Sequence, residues 1–131
     1  MKALKEYNSI REKIRTLRET ATIAAKVVIS SELETIFEEY PQLDTISWTQ
    51  YTPYFNDGDV CEFGCGAGEP DINGEDYWYL ERGSTLKEAA KKAGAILGSI
   101  ENEDYLALFG DHAEVIVYRD GRIEVQSYSH E

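Results

Sequence analysis

The sequence predicts an α+β fold in which N-terminal helices pack with a mostly antiparallel four-stranded sheet made of two hairpins, with a helical pair between them. Three observations carry that expectation. Apolar residues recur every three or four positions over 3–40 and again over 86–109, the period of a helix with one buried face. They alternate with polar residues over 45–51, 60–63 and 113–128, the period of a strand. Asp120-Gly121 divides the last of these runs in two and favours the positive φ of a tight hairpin turn.

The first helix carries Ala3, Tyr7, Ile10, Ile14, Leu17, Ala21, Ala24 and Val28 at 3–4 spacing. Such a stripe is either a seam against another helix, in this chain or a second copy, or the buried face of a helix laid on its own sheet. The first alternative implies a homodimer through residues 3–28. Ser31 and Glu34 have the spacing of a capping box, so a second short helix, or a kinked continuation, is expected over 32–40 before Pro41 stops it.

From Asp44 the period becomes two. Residues 45–51 and 60–63 read as a hairpin with its turn at 56–59, and 64–74 has the Gly, Pro, Asp and Asn content of a long mobile loop. Thr85 and Glu88 form another capping box, opening a helix with the stripe Leu86, Ala89, Ala90, Ala93, Ile96, Leu97 and Ile100. Gly94 and Gly98 lie one turn apart on it and suit close packing against the sheet, while Lys87, Lys91 and Lys92 face water. A shorter helix over 101–109 ends at Gly110. In the last hairpin a two-residue turn places Tyr118 opposite Ile123, Ile116 opposite Val125, Val117 opposite Glu124 and Val115 opposite Gln126.

A length of 131 residues suits one domain over 1–131, helical over 1–40 and sheet plus helices over 44–131. A hydrophobic content of 42% places the net charge of -12 on a folded surface. That charge is uneven. Residues 1–30 carry seven basic and three acidic groups, a net of +4, which leaves -16 for the other 101. Residues 31–81 hold thirteen carboxylates and neither Lys nor Arg. Repulsion at that density weakens a fold and is commonly tolerated for solubility or for a positive partner. The charged N-terminus lacks a secretory apolar core and no run is long enough to span a bilayer, so a cytoplasmic protein with no membrane partner is expected, its Cys61 and Cys65 free thiols.

Catalytic and metal chemistry find little support, and no cofactor is expected. Cys61, Cys65, His112 and His130 could supply sulfur and nitrogen to zinc, but Cys-x3-Cys in a strand and two unpaired histidines lack the spacing of such sites. Neither Asn56-Asp57-Gly58-Asp59 nor the run 71–76 has the register of an EF-hand, and both suit turns. A small metal- or thiol-dependent enzyme built on Cys61, Cys65 and His112, with Asp111 orienting the imidazole, is the alternative to a binding role. The glycine-rich run 64–68 lacks the Lys-Ser/Thr of a phosphate loop, and direct nucleic-acid binding needs cations that 31–81 does not have.

Binding remains. Aromatic anchors within a charged rim are the composition of a protein interface. The candidate residues are Trp48, Tyr51, Tyr54, Phe55, Asp57, Asp59, Glu62, Glu69, Asp71, Glu75, Asp76 and Trp78, and the partner they imply is a basic protein, such as one that handles nucleic acid. The segment Trp48-Thr49-Gln50-Tyr51-Thr52-Pro53-Tyr54-Phe55-Asn56-Asp57-Gly58-Asp59-Val60-Cys61-Glu62-Phe63 resembles one in accessory proteins of tailed bacteriophages and related bacterial genes. The resemblance brings no activity with it. It implies a phage-encoded inhibitor of host machinery acting in the host cytoplasm.

Overall fold

The computed structural model describes residues 1–54, 58 and 60–129. Its first element is one helix, α1 (Lys2–Glu39), which at 1.5 Å per residue is about 57 Å long. The restart expected at Ser31 does not occur. Ala25, Ile29, Leu33, Ile36 and Phe37 are buried on one stripe that stays in phase through Ser31, so the helix keeps its face and needs no new cap. Tyr40, before Pro41, turns extended and ends it. The buried stripe is also not the expected one: at 100° per residue it lies about a quarter turn from the line through Tyr7, Ile14, Ala21 and Val28. Among the described residues no helix is long and apolar enough to cross a membrane.

The sheet is built around β1 (Thr45–Tyr51). One edge of β1 pairs antiparallel with β4 (Ala113–Tyr118), which pairs in turn with β5 (Ile123–Ser127). Its other edge takes two short antiparallel partners in tandem, β2 (Gly64–Cys65) and β3 (Asp71–Ile72). The strand expected over 60–63 is therefore replaced by these two, and most of the expected turn, Asn56, Asp57 and Asp59, lies outside the described residues. The intervening helices are α2 (Thr85–Leu97) and α3 (Asn102–Phe109). Ile46, Trp48, Val115 and Val117 join the stripes of α1 and α2 in one core.

The glycine-rich segment is packed rather than loose. Gly66–Gly68 forms a 3-10 turn, Ala67 and Ile72 are buried, and the turn lies so close to α2 that a β-carbon on Gly94 would sit 2.3 Å from the carbonyl oxygen of Gly68. The glycine on α2 thus packs against the glycine-rich turn. Asn73 and Gly74, at φ 53° and 80°, then make a two-residue turn of the type that needs positive φ twice. The Asn73 side chain accepts hydrogen bonds from the backbone N–H groups of Asp44 and Thr45 and donates to the carbonyl of Gln42, tying this turn to the exit of α1.

Three further expectations need correction. The cap of α2 is Ser84, whose hydroxyl accepts from the Lys87 N–H, one residue before Thr85. Lys87 is buried, not water-facing. In the last hairpin Val117 pairs with Ile123 and Val115 with Val125, one residue away from the expected register. Gly121 donates to the Tyr118 carbonyl and, at φ 90°, follows it as the left-handed residue of a three-residue loop, so the turn holds one residue more than Asp-Gly alone requires. Arg119, within that loop, reaches across to donate to the carbonyls of Phe37, in the last turn of α1, and of Tyr40 and Leu43 at its exit.

A single amide joins these layers. Gln50 of β1 is fully buried; its oxygen accepts from Trp48 Nε1 and from the Cys65 thiol, and its nitrogen donates to the carbonyls of Tyr105 and Gly110 at the end of α3. The Trp48 ring meets Tyr105 and Phe109 edge-on at 5.7 and 6.0 Å.

Two stability measurements test this account. Gly94→Ala, which in an open helix would stabilise by up to about 1 kcal/mol, is expected instead to lower the unfolding free energy measured by denaturant titration by about 1–3 kcal/mol through the clash with Gly68. Gln50→Leu keeps the volume but leaves the buried indole N–H without a partner and removes the side-chain donor to the Tyr105 and Gly110 carbonyls, at about 1–3 kcal/mol for each buried group left unsatisfied, so its loss should exceed that of Gly94→Ala in the same assay.

Candidate interaction surface

The helices cover one face of the sheet, and the strand pairings define what the other presents. Asp71 lies beside Ser47, Ser47 beside Ile116, and Ile116 beside Glu124, forming one row across four strands. The next row is Thr49, Glu114 and Gln126. Beyond it the Tyr51 ring sits 5.6 Å from that of Tyr128, next to a cleft of about 320 Å³ bordered by Thr49, Pro53, Glu62 and Gly66. Carboxylates and aromatic rings therefore share the outer face.

Asp71 registers this crowding. Partial burial, and then the charges of Asp76 and Glu114, raise its pKa above the ordinary carboxylate value, although a hydrogen bond from the Tyr77 backbone acts in the opposite direction. Asp76 in turn accepts from the Trp78 N–H and starts the 3-10 turn Tyr77–Tyr79. Lys87 of α2 anchors that turn from below: its ammonium donates to the Tyr77 carbonyl at 2.6 Å and lies 3.6 Å from the centre of the Tyr77 ring. The anchoring leaves Trp78 and Tyr79 outward, 68% and 80% exposed. Tyr79 and Glu75 border a further cleft of about 530 Å³ against the start of α2.

The expected site residues divide accordingly. Trp48 is corrected: at 2% exposure it is core, because it shares its side of β1 with Ile46 and Gln50, and it offers a partner nothing. Tyr51, Glu62 and Asp71 lie on or beside the outer face, with Tyr54 close by, 64% exposed and stacked on His112 at 4.8 Å. Glu75, Asp76 and Trp78 cluster at the 72–79 corner, and Glu69 is exposed at the end of the glycine turn. Phe55, Asp57 and Asp59 lie outside the described residues. Glu114 and Glu124, from the last hairpin, join the surface without having been expected there. Among the described residues, none of Glu62, Glu69, Asp71, Glu75, Asp76 and Glu81 forms an ion pair within the chain.

The Cys65 thiol has a structural partner, whereas the His112 ring stacks on Tyr54 and its buried Nδ1 has no hydrogen-bond partner among the described residues. Burial pushes the Cys65 thiol up to about 11, outweighing a backbone hydrogen bond from Ala67, so at neutral pH it is protonated and a poor nucleophile. Its hydrogen-bond partner is Gln50. Desolvation acts to raise the Asp111 carboxyl, but hydrogen bonds from the Thr52 hydroxyl and backbone N–H and from the His112 backbone N–H together outweigh it and hold the carboxyl below the usual range. Among the described residues no group of three or more His, Cys, Asp or Glu side chains is placed to hold a metal ion; His130 lies outside them. Comparison of the chain with protein-family models, with curated proteins and with solved structures returns no match in any of the three.

The raised pKa of Asp71 has a definite sign. The folded protein favours the protonated carboxyl, so the ionised form costs stability above the folded pKa, and that cost is lifted as pH falls through it toward the unfolded value. Asp71→Asn should therefore raise the melting temperature at pH 7, with the difference closing as the pH is lowered through the carboxylate range. Calorimetry across that range measures it, and a lower melting temperature at pH 7 would show that the charge is stabilised instead.

Proposed function

We propose that this chain is a non-enzymatic, phage-encoded interaction protein that binds a basic host protein, such as one that handles nucleic acid, through the acidic and aromatic surface of residues 44–81. The observation that supports this reading is the set of carboxylates around Asp71 and Asp76 that form no ion pair among the described residues, bordered by the outward Trp78 and Tyr79. Charges held this close oppose one another in the free protein, and a lysine- or arginine-rich partner relieves that repulsion while the exposed rings supply apolar contact. In the same reading two copies associate through residues 3–28, and the protein acts in the host cytoplasm.

The test uses the intact chain as bait in host lysate at low and high salt, beside a variant carrying Glu62→Gln, Glu75→Gln and Trp78→Ala. A basic protein should be retained at low salt, released as the Debye length shortens, and held at least roughly 30-fold more weakly by the variant, since loss of one aromatic anchor commonly costs 2 kcal/mol or more. Recovery of no salt-sensitive basic protein would overturn the reading.

A further inference from the structure

We infer that the open edge of β5 takes an added antiparallel strand from the basic partner, a segment in which lysine or arginine alternates with apolar residues. The inference rests on the proposed basic partner and specifies how its chain is held. β5 ends the sheet, and among the described residues no strand pairs with its outer edge. Tyr118 donates to the Arg122 carbonyl and Tyr128 to the His112 carbonyl, so by antiparallel alternation Glu124 and Gln126 also bond toward β4. The N–H and C=O groups of Ile123, Val125 and Ser127 therefore point along the free edge. Natural edges are commonly closed to added strands by proline, lysine or an inward-pointing charge. β5, Ile-Glu-Val-Gln-Ser, has none of these, and its Glu124 lies on the outer face beside Ile116.

The two faces of the edge specify the side chains that suit it. Ile123 and Val125 share the inner side with Val117 and Val115, but the helices do not cover them: Ile123 is half-buried and Val125 is 47% exposed. A cleft of about 430 Å³ opens beside Ile123, bordered by Leu33 and Phe37 of α1. Apolar side chains on the inner side of an added strand would cover Val125 and lie next to this cleft.

Charge selects the side chains of the outer side. The row Asp71, Ser47, Ile116 and Glu124 runs to the edge, so the next residue of that row, supplied by the added strand, sits beside Glu124. Glu34 and Glu38 of α1 stand exposed where the cleft opens. Arg119 is turned to the carbonyls at the end of α1, and Arg122 lies over the Tyr118 ring at 4.0 Å. A lysine or arginine beside Glu124 is favoured, whereas a second copy would bring a chain of net charge -12 against these carboxylates. Strand addition of this kind draws affinity from the main chain and specificity from alternate side chains.

Calorimetric titration of the intact chain with the peptide Lys-Val-Lys-Val-Lys-Val-Lys tests the inference. Antiparallel pairing that sets the valines on the inner side turns their N–H groups toward β5 and the lysine N–H groups away. Methylation of the valine backbone nitrogens should weaken binding at least about tenfold, and methylation of the lysine backbone nitrogens less than about threefold. Equal binding by the two methylated peptides, as charge alone gives, would overturn the inference, as would no binding by the parent peptide. Val125→Pro removes one outward N–H and no bond to β4, so it should weaken the peptide about tenfold with circular dichroism unchanged. A mass of the isolated chain that halves in this variant would assign the edge to a second copy and overturn the inference. A basic host protein retained equally by the intact chain and by Val125→Pro would also overturn it, while leaving the proposed partner standing.

Discussion

The buried amide of Gln50 is the constraint on which the sheet depends. A carboxamide has two lone pairs and two N–H bonds to satisfy, and in a dry interior each unsatisfied group is costly. Here its oxygen takes the indole of Trp48 and the thiol of Cys65, and its nitrogen takes two carbonyls at the end of α3. Three elements, β1, β2 and α3, therefore meet at one side chain. A slip of β1 by one residue would turn Gln50 to solvent and drive Thr49 and Tyr51 inward, so this network specifies which side of the central strand faces out. The outer face, with its carboxylates and rings, follows from that choice.

A second contact positions the corner that adjoins this face. The near-touching of Gly68 and Gly94 brings the segment after β2 against α2, and Asn73 then holds the following turn to the exit of α1. With both ends placed, Asp76 and Lys87 leave the 77–79 turn little freedom, and Trp78 and Tyr79 point away from the body. Two large rings are thereby exposed beside charged groups. The crowding at Asp71 belongs to the same balance: stability is given up where like charges are held together.

Much of this was legible in the residues. The helical stripe of α2, the end of α3 at Gly110, the alternation of β1 and the presence of a closing hairpin all follow from period and turn chemistry. Gln50 itself left a trace, a polar residue on the apolar side of β1 in line with Ile46 and Trp48. The partnership between β1 and two dipeptide strands left none, because two residues are too few to show a period. The hairpin register shifted by one because Arg119 is drawn to the carbonyls at the end of α1, a contact about 80 positions away in sequence that turn propensity does not contain. That shift put Glu124, rather than Val125, beside Ile116 in the row of Asp71.

What the sequence determined by itself is the charge asymmetry, the acid-only span 31–81 and the elements with a long period, since these depend on composition and local order alone. Tertiary structure decided which aromatic residues are anchors and which are core: Trp48 and Trp78 stand in similar acidic surroundings along the chain, but one lies on the inner side of a central strand and the other on a turn held from beneath by a buried lysine. It also decided that Tyr7, Ile10 and Leu17 of the stripe from Ala3 to Val28 stay exposed. Both outcomes depend on how elements rotate about their axes when they pack, a quantity set by contacts between residues distant in sequence.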